Sequence, residues 1–250
     1  MYRKLTAVGI LAIQIGMSQD APNYVYELWY QVYSNKSRGF NQYFQKLKEA
    51  DLQTHSGRQR FVDLQPYSNT RVIFMPAKEL GEFDTRVSSS AVFSKAFGEE
   101  EYHKYAALYN EAQITATSVI RKYRNDLSLN RDKHLREQTR TTAYTFVTLY
   151  PLKGPAFEAL WHKAVEAYRK VQPDIILTAA QTIVGSGPQY VIARPLKSYG
   201  EFEGDLTPEQ AVEKAFGQAE RDNFNRLVAS SIKTWETVLM DKGDMDTNVR

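Results

Sequence analysis

The side chains best equipped for chemistry are few. The sequence has no cysteine and four histidines, His55, His103, His134 and His162. Without cysteine there is no thiolate nucleophile, no disulfide framework and no thiolate metal centre. The histidines do not fall at ligand spacing and no His-Glu-x-x-His occurs, so no metal site is expected. His162 follows Trp161 on a helical pattern but is rotated about 100° from it, towards the edge of the apolar stripe. Gly185-Ser186-Gly187 matches neither a nucleophile elbow nor a dinucleotide fingerprint and reads as a turn. Glu82 with Asp84, and Glu201 with Glu203, form two acidic pairs just past strands. Such pairs could act as acid and base if their surroundings split their proton affinities. They could equally be loop structure, with the acids paired to Lys78 and Lys197.

The other polar candidates lie on strands. Arg71 and Met75 share a face with Ile73, and Arg194 shares one with Tyr190 and Ile192. An arginine among apolar strand residues can hold an acidic ligand. Tyr26, Tyr30, Tyr144 and Tyr150 could line an aromatic pocket with Trp161. They could also be core aromatics.

These residues are placed by an internal repeat. Residues 71–84, RVIFMPAKELGEFD, recur without a gap as residues 190–203, YVIARPLKSYGEFE, at a shift of 119. The same shift carries Lys95-Ala96-Phe97-Gly98 onto Lys214-Ala215-Phe216-Gly217. Repeats of this length indicate a duplicated unit. In the first unit a strand is expected near 24–32, a helix near 38–50, strands near 59–65 and 71–77, and a long helix from 99 to 121. A closing strand is assigned to 124–129. In the second unit the expected order is a strand near 143–150, a helix at 155–170, strands near 175–184 and 189–196, and a helix from 218 to 240. Asp244 onwards is a poor candidate for a final strand. A short helix precedes each long one, and Thr207-Pro208-Glu209-Gln210 carries an N-cap signature. The order βαββαβ is ferredoxin-like. The first strand is apolar on both faces, with Val25 and Trp29 alternating with Tyr24, Tyr26, Leu28, Tyr30 and Val32. Two such sheets packed together would bury their second faces. The fold class is therefore α+β, with tandem ferredoxin-like repeats at 24–130 and 141–250 forming an intramolecular pseudo-dimeric barrel, joined by a linker at 131–140. Within it Arg194 answers to Met75 and Trp161 to Phe44, so half two is the half expected to keep a working cavity. Residues 121–140 hold seven Lys or Arg against three Asp or Glu and read as a solvated connector.

Residues 1–18 have the order of a signal peptide: basic Arg3-Lys4, an apolar run to Met17, then Gly16 and Ser18 as small residues before a cleavage site. A secreted or periplasmic location follows as an expectation, with no membrane association after cleavage. The formal charge of +3 gives no nucleic-acid footprint.

This arrangement resembles the dimeric α/β-barrel superfamily, including NIPSNAP-like proteins and antibiotic-biosynthesis-type monooxygenases. The resemblance implies a cavity between sheet and helices in each half. It allows cofactor-free oxygenases, haem-degrading enzymes and proteins without a reaction. In haem-degrading relatives a helix histidine is used, which makes His162 a candidate beside Trp161 and Arg194. The reading is a protein that binds a small aromatic or apolar ligand, through Tyr26, Tyr30, Arg71, Tyr144, Tyr150, Trp161 and Arg194, or that serves as an interaction module. No cofactor is required, haem is a conceivable ligand, and homo-oligomers are compatible with it. The alternative is a cofactor-independent monooxygenase or haem-degrading enzyme.

Overall fold

A computed structural model describes residues 22–54, 62–65, 69–131, 139 and 141–242. The leader at 1–18, His55, His134, most of the linker and the segment from 243 lie outside the described residues.

The two halves share one element order, except that the helix Tyr199–Gly204 of half two stands where half one has a 3₁₀ turn, Leu80–Phe83. Half one runs β1 (Tyr24–Val32), α1 (Ser37–Thr54), β2 (Val62–Gln65), β3 (Thr70–Ala77), α2 (Ser89–Phe97), α3 (Glu99–Ala112) and β4 (Gln113–Tyr123). Half two runs β5 (Thr141–Leu149), α4 (Gly154–Val171), β6 (Thr178–Val184), β7 (Tyr190–Leu196), α5 (Tyr199–Gly204), α6 (Pro208–Phe216), α7 (Gln218–Ser231) and β8 (Ile232–Lys242). Eight antiparallel strands close a barrel in the order β1-β3-β2-β8-β5-β7-β6-β4. Each half supplies four consecutive staves in the ferredoxin-like order, and the halves meet at two seams, β2–β8 and β4–β6.

The period-two alternation of the strands sorts residues between two layers. Outward-facing Tyr30, Val32, Ile73 and Met75 pack under α1 with Phe40, Phe44 and Leu47. Their counterparts Val147, Leu149, Tyr190 and Ile192 pack under α4 with Phe157, Leu160 and Trp161. Inward-facing Val25, Trp29, Val72, Phe74, Tyr144, Phe146, Val238 and Met240 form a third cluster inside the barrel. The two apolar faces of the first strand thus serve two different cores.

The two long helices expected from 99 and 218 are each a helix followed at once by a strand. The helix stripe Tyr105, Leu108, Tyr109 and Ala112 is real, but from Gln113 the chain is extended. Residues 113–120 contain five β-branched side chains, Ile114, Thr115, Thr117, Val119 and Ile120. These lose rotamer freedom in a helix and fit a pleated sheet. Ala116, Val119 and Ile120 fall on the helical stripe by coincidence of spacing. The closing strands are therefore β4 and β8, and 125–127 is a short 3₁₀ turn rather than the final strand. The N-cap signature holds: Thr207 and Gln210 form a capping box at the start of α6. Gly98 and Gly217 end α2 and α6 and start α3 and α7 at φ 88° and 91°, a conformation costly for any side chain with a Cβ.

The expectation of a solvated connector over 121–140 is overturned at its start. Arg121 lies inside the barrel, 1% exposed. Its Nε donates to Glu27 Oε1 at 2.9 Å, and its Nη1 donates to the Thr182 hydroxyl and, at 2.9 Å, to the Pro188 carbonyl. Glu27 accepts a second bond from Trp29 Nε1 at 3.0 Å. One guanidinium thus ties β1 and β4 of half one to β6 and the β6–β7 hairpin of half two. Arg131 is also held, by Asn125 Oδ1, the Pro22 carbonyl and the ring of Tyr123. Two of the run's arginines, Arg121 and Arg131, are thus bound within the fold.

Removing one partner of a buried pair leaves the other charge uncompensated. Glu27→Ala or Arg121→Ala is expected to cost roughly 3–5 kcal/mol in chemical denaturation. The double change Glu27→Leu, Arg121→Met should cost less than either single one, and a strictly additive loss would refute the coupling.

Candidate functional site

The strand register brings the repeat into three dimensions. β1 and β5 correspond at a shift of 117, while β3 and β7, and β4 and β8, correspond at 119. Positions can then be compared between halves as chemistry.

Arg194 is the sequence candidate that sits at a cleft. It leaves the outer face of β7, 9% exposed, and pairs with Asp205 between α5 and α6. Asp205 also accepts from Gln172 Nε2 at the end of α4. Above this pair lies a cleft of roughly 380 Å³. It is lined by the apolar Ile175, Ile176, Pro195 and Leu196 and by the polar Thr139, Gln172, Asp174, Lys197 and Glu201. Burial pulls the Arg194 pKa below its ordinary value, and the Glu201 carboxylate opposes that shift. Tyr168, buried beside it, donates to the Leu206 carbonyl at 2.8 Å, and burial raises its pKa.

Half one is different at this corner. Arg194 is replaced by Met75 and Asp205 by Arg86, a methionine for a cation and a cation for an anion. Arg86 donates to the Pro76 carbonyl at 3.0 Å and lies 4.6 Å from the centre of the Phe83 ring. Sequence reasoning found Arg194 but missed Asp205, Gln172 and Asp174. The coupled exchange at positions 75/86 and 194/205 within the repeat was the signal that could have found Asp205.

The other candidates are dispersed. Trp161 is core, 2% exposed, with its Nε1 donating to the Leu127 carbonyl at 2.9 Å. His162 points to solvent, half-exposed, with Nε2 3.6 Å from Asp126 Oδ2. Tyr30 sits among Phe40, Phe44 and Tyr109, and burial raises its pKa. Tyr26 lies 5.8 Å from the Phe83 ring. Arg71 is buried beside Tyr30 and bonds the Thr70 carbonyl. Tyr144 is inside the barrel, stacked on Phe74 with centroids 5.6 Å apart, and burial raises its pKa well above the ordinary value. Tyr150 is exposed at the end of β5. Trp161, His162 and Arg194 therefore do not converge on one reacting centre.

The repeated acids have a structural role. Glu82 Oε1 accepts from the backbone N–H of Lys78 at 2.9 Å and of Glu79 at 3.1 Å. Glu201 Oε2 accepts from the backbone N–H of Lys197 at 2.7 Å. Each of these two carboxylates holds the turn after its strand through main-chain donors.

A charged network missed in the sequence lies beside α4. Arg124, at the end of β4, binds Asp126 through Nε at 2.9 Å and Glu158 through Nη1 at 2.5 Å and Nη2 at 3.0 Å. The Tyr190 hydroxyl donates to Glu158 at 2.6 Å. Arg124 pulls both carboxyls below the ordinary range, and burial with Glu158 raises Tyr190. The network joins β4, α4, β6 and β7.

Haem has no room between α4, α7 and the sheet of half two. The space between α4, α7 and the sheet is filled by Phe157, Leu160, Trp161 and Tyr190, none more than 2% exposed. The described histidines, His103 and His162, have side chains 73% and 50% exposed. No group of three or more His, Cys, Asp or Glu side chains suited to a metal occurs among the described residues. No described helix is long and apolar enough to cross a membrane.

No protein-family model matches the chain, and no curated protein is significantly similar to it. Solved structures do share its fold. An anthrone oxidase-like protein aligns over 90% of this chain and 92% of its own, with 12% identity and a TM-score of 0.53. A candidate monooxygenase from Fusobacterium nucleatum aligns over 89% and 93%, with 9% identity and a TM-score of 0.52. Chlorite dismutase from Candidatus Nitrospira defluvii, in complex with imidazole, aligns over 90% and 93%, with 8% identity and a TM-score of 0.50. The likeness is one of fold: two tandem ferredoxin-like repeats closed into one α/β barrel.

The carboxyls of Asp126 and Glu158 titrate below their unfolded values, so their contribution is present above about pH 4 and is lost as pH falls through the lowered values. The urea midpoint should fall in that acid range, and Asp126→Asn with Glu158→Gln should flatten the fall. An unchanged acid limb in the double variant would exclude the network as its cause.

Proposed function

We propose that the protein is a small-molecule-binding member of this fold class, and that its binding site is the Arg194–Asp205 cleft of half two. The observation that carries this reading is the break in the repeat. The scaffold is duplicated, yet at one corner Met75 and Arg86 give way to Arg194 and Asp205, and a cleft lies over the new pair. A structural duplication alone does not require that exchange.

The lining selects the ligand class. Its isoleucine, proline and leucine side chains suit a ring or short chain. Its lining holds three carboxylates, Asp174, Glu201 and Asp205, against two cations, Arg194 and Lys197. Arg194 is already neutralised by Asp205. The surplus of acceptors favours an amphipathic molecule bearing O–H or N–H donors and disfavours an organic anion. The aromatic or apolar ligand expected from the sequence thus gains a polar end. Catalysis is not part of this reading, because the three catalytic candidates lie apart.

Tyramine, which has a ring, a phenol and an ammonium group, is a suitable probe, with 4-hydroxybenzoate as its anionic counterpart. Calorimetric titration should give saturable tyramine binding and at least tenfold weaker binding of the anion. The variant Arg194→Met with Asp205→Arg restores the half-one pair and should abolish tyramine binding while the circular dichroism spectrum stays unchanged. Equal binding of both probes, or binding retained in the variant, would overturn the assignment.

Export belongs to the same reading and is supported by the charge and apolar order of residues 1–18. In a secretion-competent host the exported product should begin at Gln19 by N-terminal sequencing. A soluble intracellular product beginning at Met1 would count against it.

A further inference from the structure

We propose that the first half of β4 is a homodimer interface, where the strand pairs edge to edge with the same strand of a second copy. The inference is independent of the cleft.

β4 joins the opposite half only through its second half. Its pairing with β6 starts at Ile120 and runs to Tyr123. Above that point the β6–β7 hairpin ends against it: a Cβ placed on Gly185 would fall 2.6 Å from the Ser118 carbonyl oxygen. From Gln113 to Ser118 the strand pairs with β1 on one side and, among the described residues, with no strand on the other. Ile114 through Ser118 are all exposed. An open edge offers a row of unpaired N–H and C=O groups, and proteins normally guard such edges with charge, proline or a bulge.

The duplicated scaffold supplies its own control. Residues 113–120, QITATSVI, contain no charge, proline or glycine. The equivalent stretch of β8, residues 232–239, reads IKTWETVL and carries Lys233 and Glu236. One edge is guarded and its structural twin is not.

The uncharged strand is also complementary to itself. Antiparallel pairing about a two-fold axis at Thr115 sets Thr115 opposite its own copy, Ile114 opposite Ala116 and Gln113 opposite Thr117, short of the hairpin at Ser118. No like charges meet, and threonine pairs are favourable cross-strand neighbours. A two-fold contact of this kind closes at two copies. Ile114, Ile183 and Val184, which are 43%, 40% and 56% exposed, flank the same edge and would gain cover from it. A second copy fits these features because it brings the same uncharged, β-branched strand in the required register.

The absence of cysteine in the full chain allows a clean test. Light scattering after gel filtration, at high micromolar protein, should give twice the single-chain mass. Ala116→Lys should return it to the single-chain mass with an unchanged circular dichroism spectrum. Under mild oxidation, single cysteines at Thr115, Ala116 or Thr117 should give a disulfide-linked dimer for at least one position, whereas Thr234→Cys on the guarded edge should not. A wild-type chain that is monomeric, a dimer that survives Ala116→Lys, or failure of all three β4 cysteines to cross-link would overturn the proposal. A different protein or the chain's own terminus on this edge would appear as the first of these outcomes.

Discussion

The barrel depends on closing two sheets into one, and the β4–β6 seam does so around a buried guanidinium. Arg121 contributes a positive charge where there is almost no water, and Glu27 neutralises it from the neighbouring strand. The remaining donors of the guanidinium are directed at Thr182 and Pro188, which belong to the other half. A buried ion pair adds little net stability compared with an apolar pair of similar volume. Half two shows that alternative, with Tyr144 and Met240 at the corresponding positions. What the pair supplies is register. A seam of few ladder positions can slip, and a charge that finds its partners in only one alignment penalises the slipped states.

Closure also explains why the two faces of each sheet differ in composition. The outer face packs under helices and takes rings and branched chains from α1 or α4. The inner face meets its counterpart across the barrel, where Trp29 stands edge-on to Phe146 and Phe74 stacks on Tyr144. Aromatic pairs of this geometry fill a barrel interior with few side chains. Most of the tyrosines that could have lined a pocket are consumed in this packing. The cleft beside Arg194 lies at a corner where the repeat has diverged, at the margin of the second-half core.

Divergence after duplication is therefore the source of whatever is specific to this molecule. The turn after β3 and the turn after β7 keep the same glutamate and the same main-chain bonds. The helix-to-strand junctions at Ala112 and Ser231 are conserved between halves as well. Changes fall at the barrel interior, at the corner beside Arg194 and along the outer edge of the closing strands. The first sets how the halves join, the second opens a cleft, and the third decides which edge is protected.

The sequence by itself determined the duplication, the ferredoxin-like order and the pairing of two apolar sheet faces. Those are local patterns: side-chain alternation, a capping box at Thr207 and a fixed shift between copies. It did not reveal where α3 ends and β4 begins, because spacing alone let Ala116, Val119 and Ile120 continue a helical stripe, and only the β-branched composition argued otherwise. Tertiary structure decided the meaning of charge. Arg121 and Arg124 sit in a basic run that looks solvated, yet Arg121 is sealed in the barrel and Arg124 binds two carboxylates beside α4. Arg194 finds Asp205 only when α5 turns back over β7. A side chain's partner depends on which elements meet, and the packing of distant segments, rather than neighbours along the chain, fixes that.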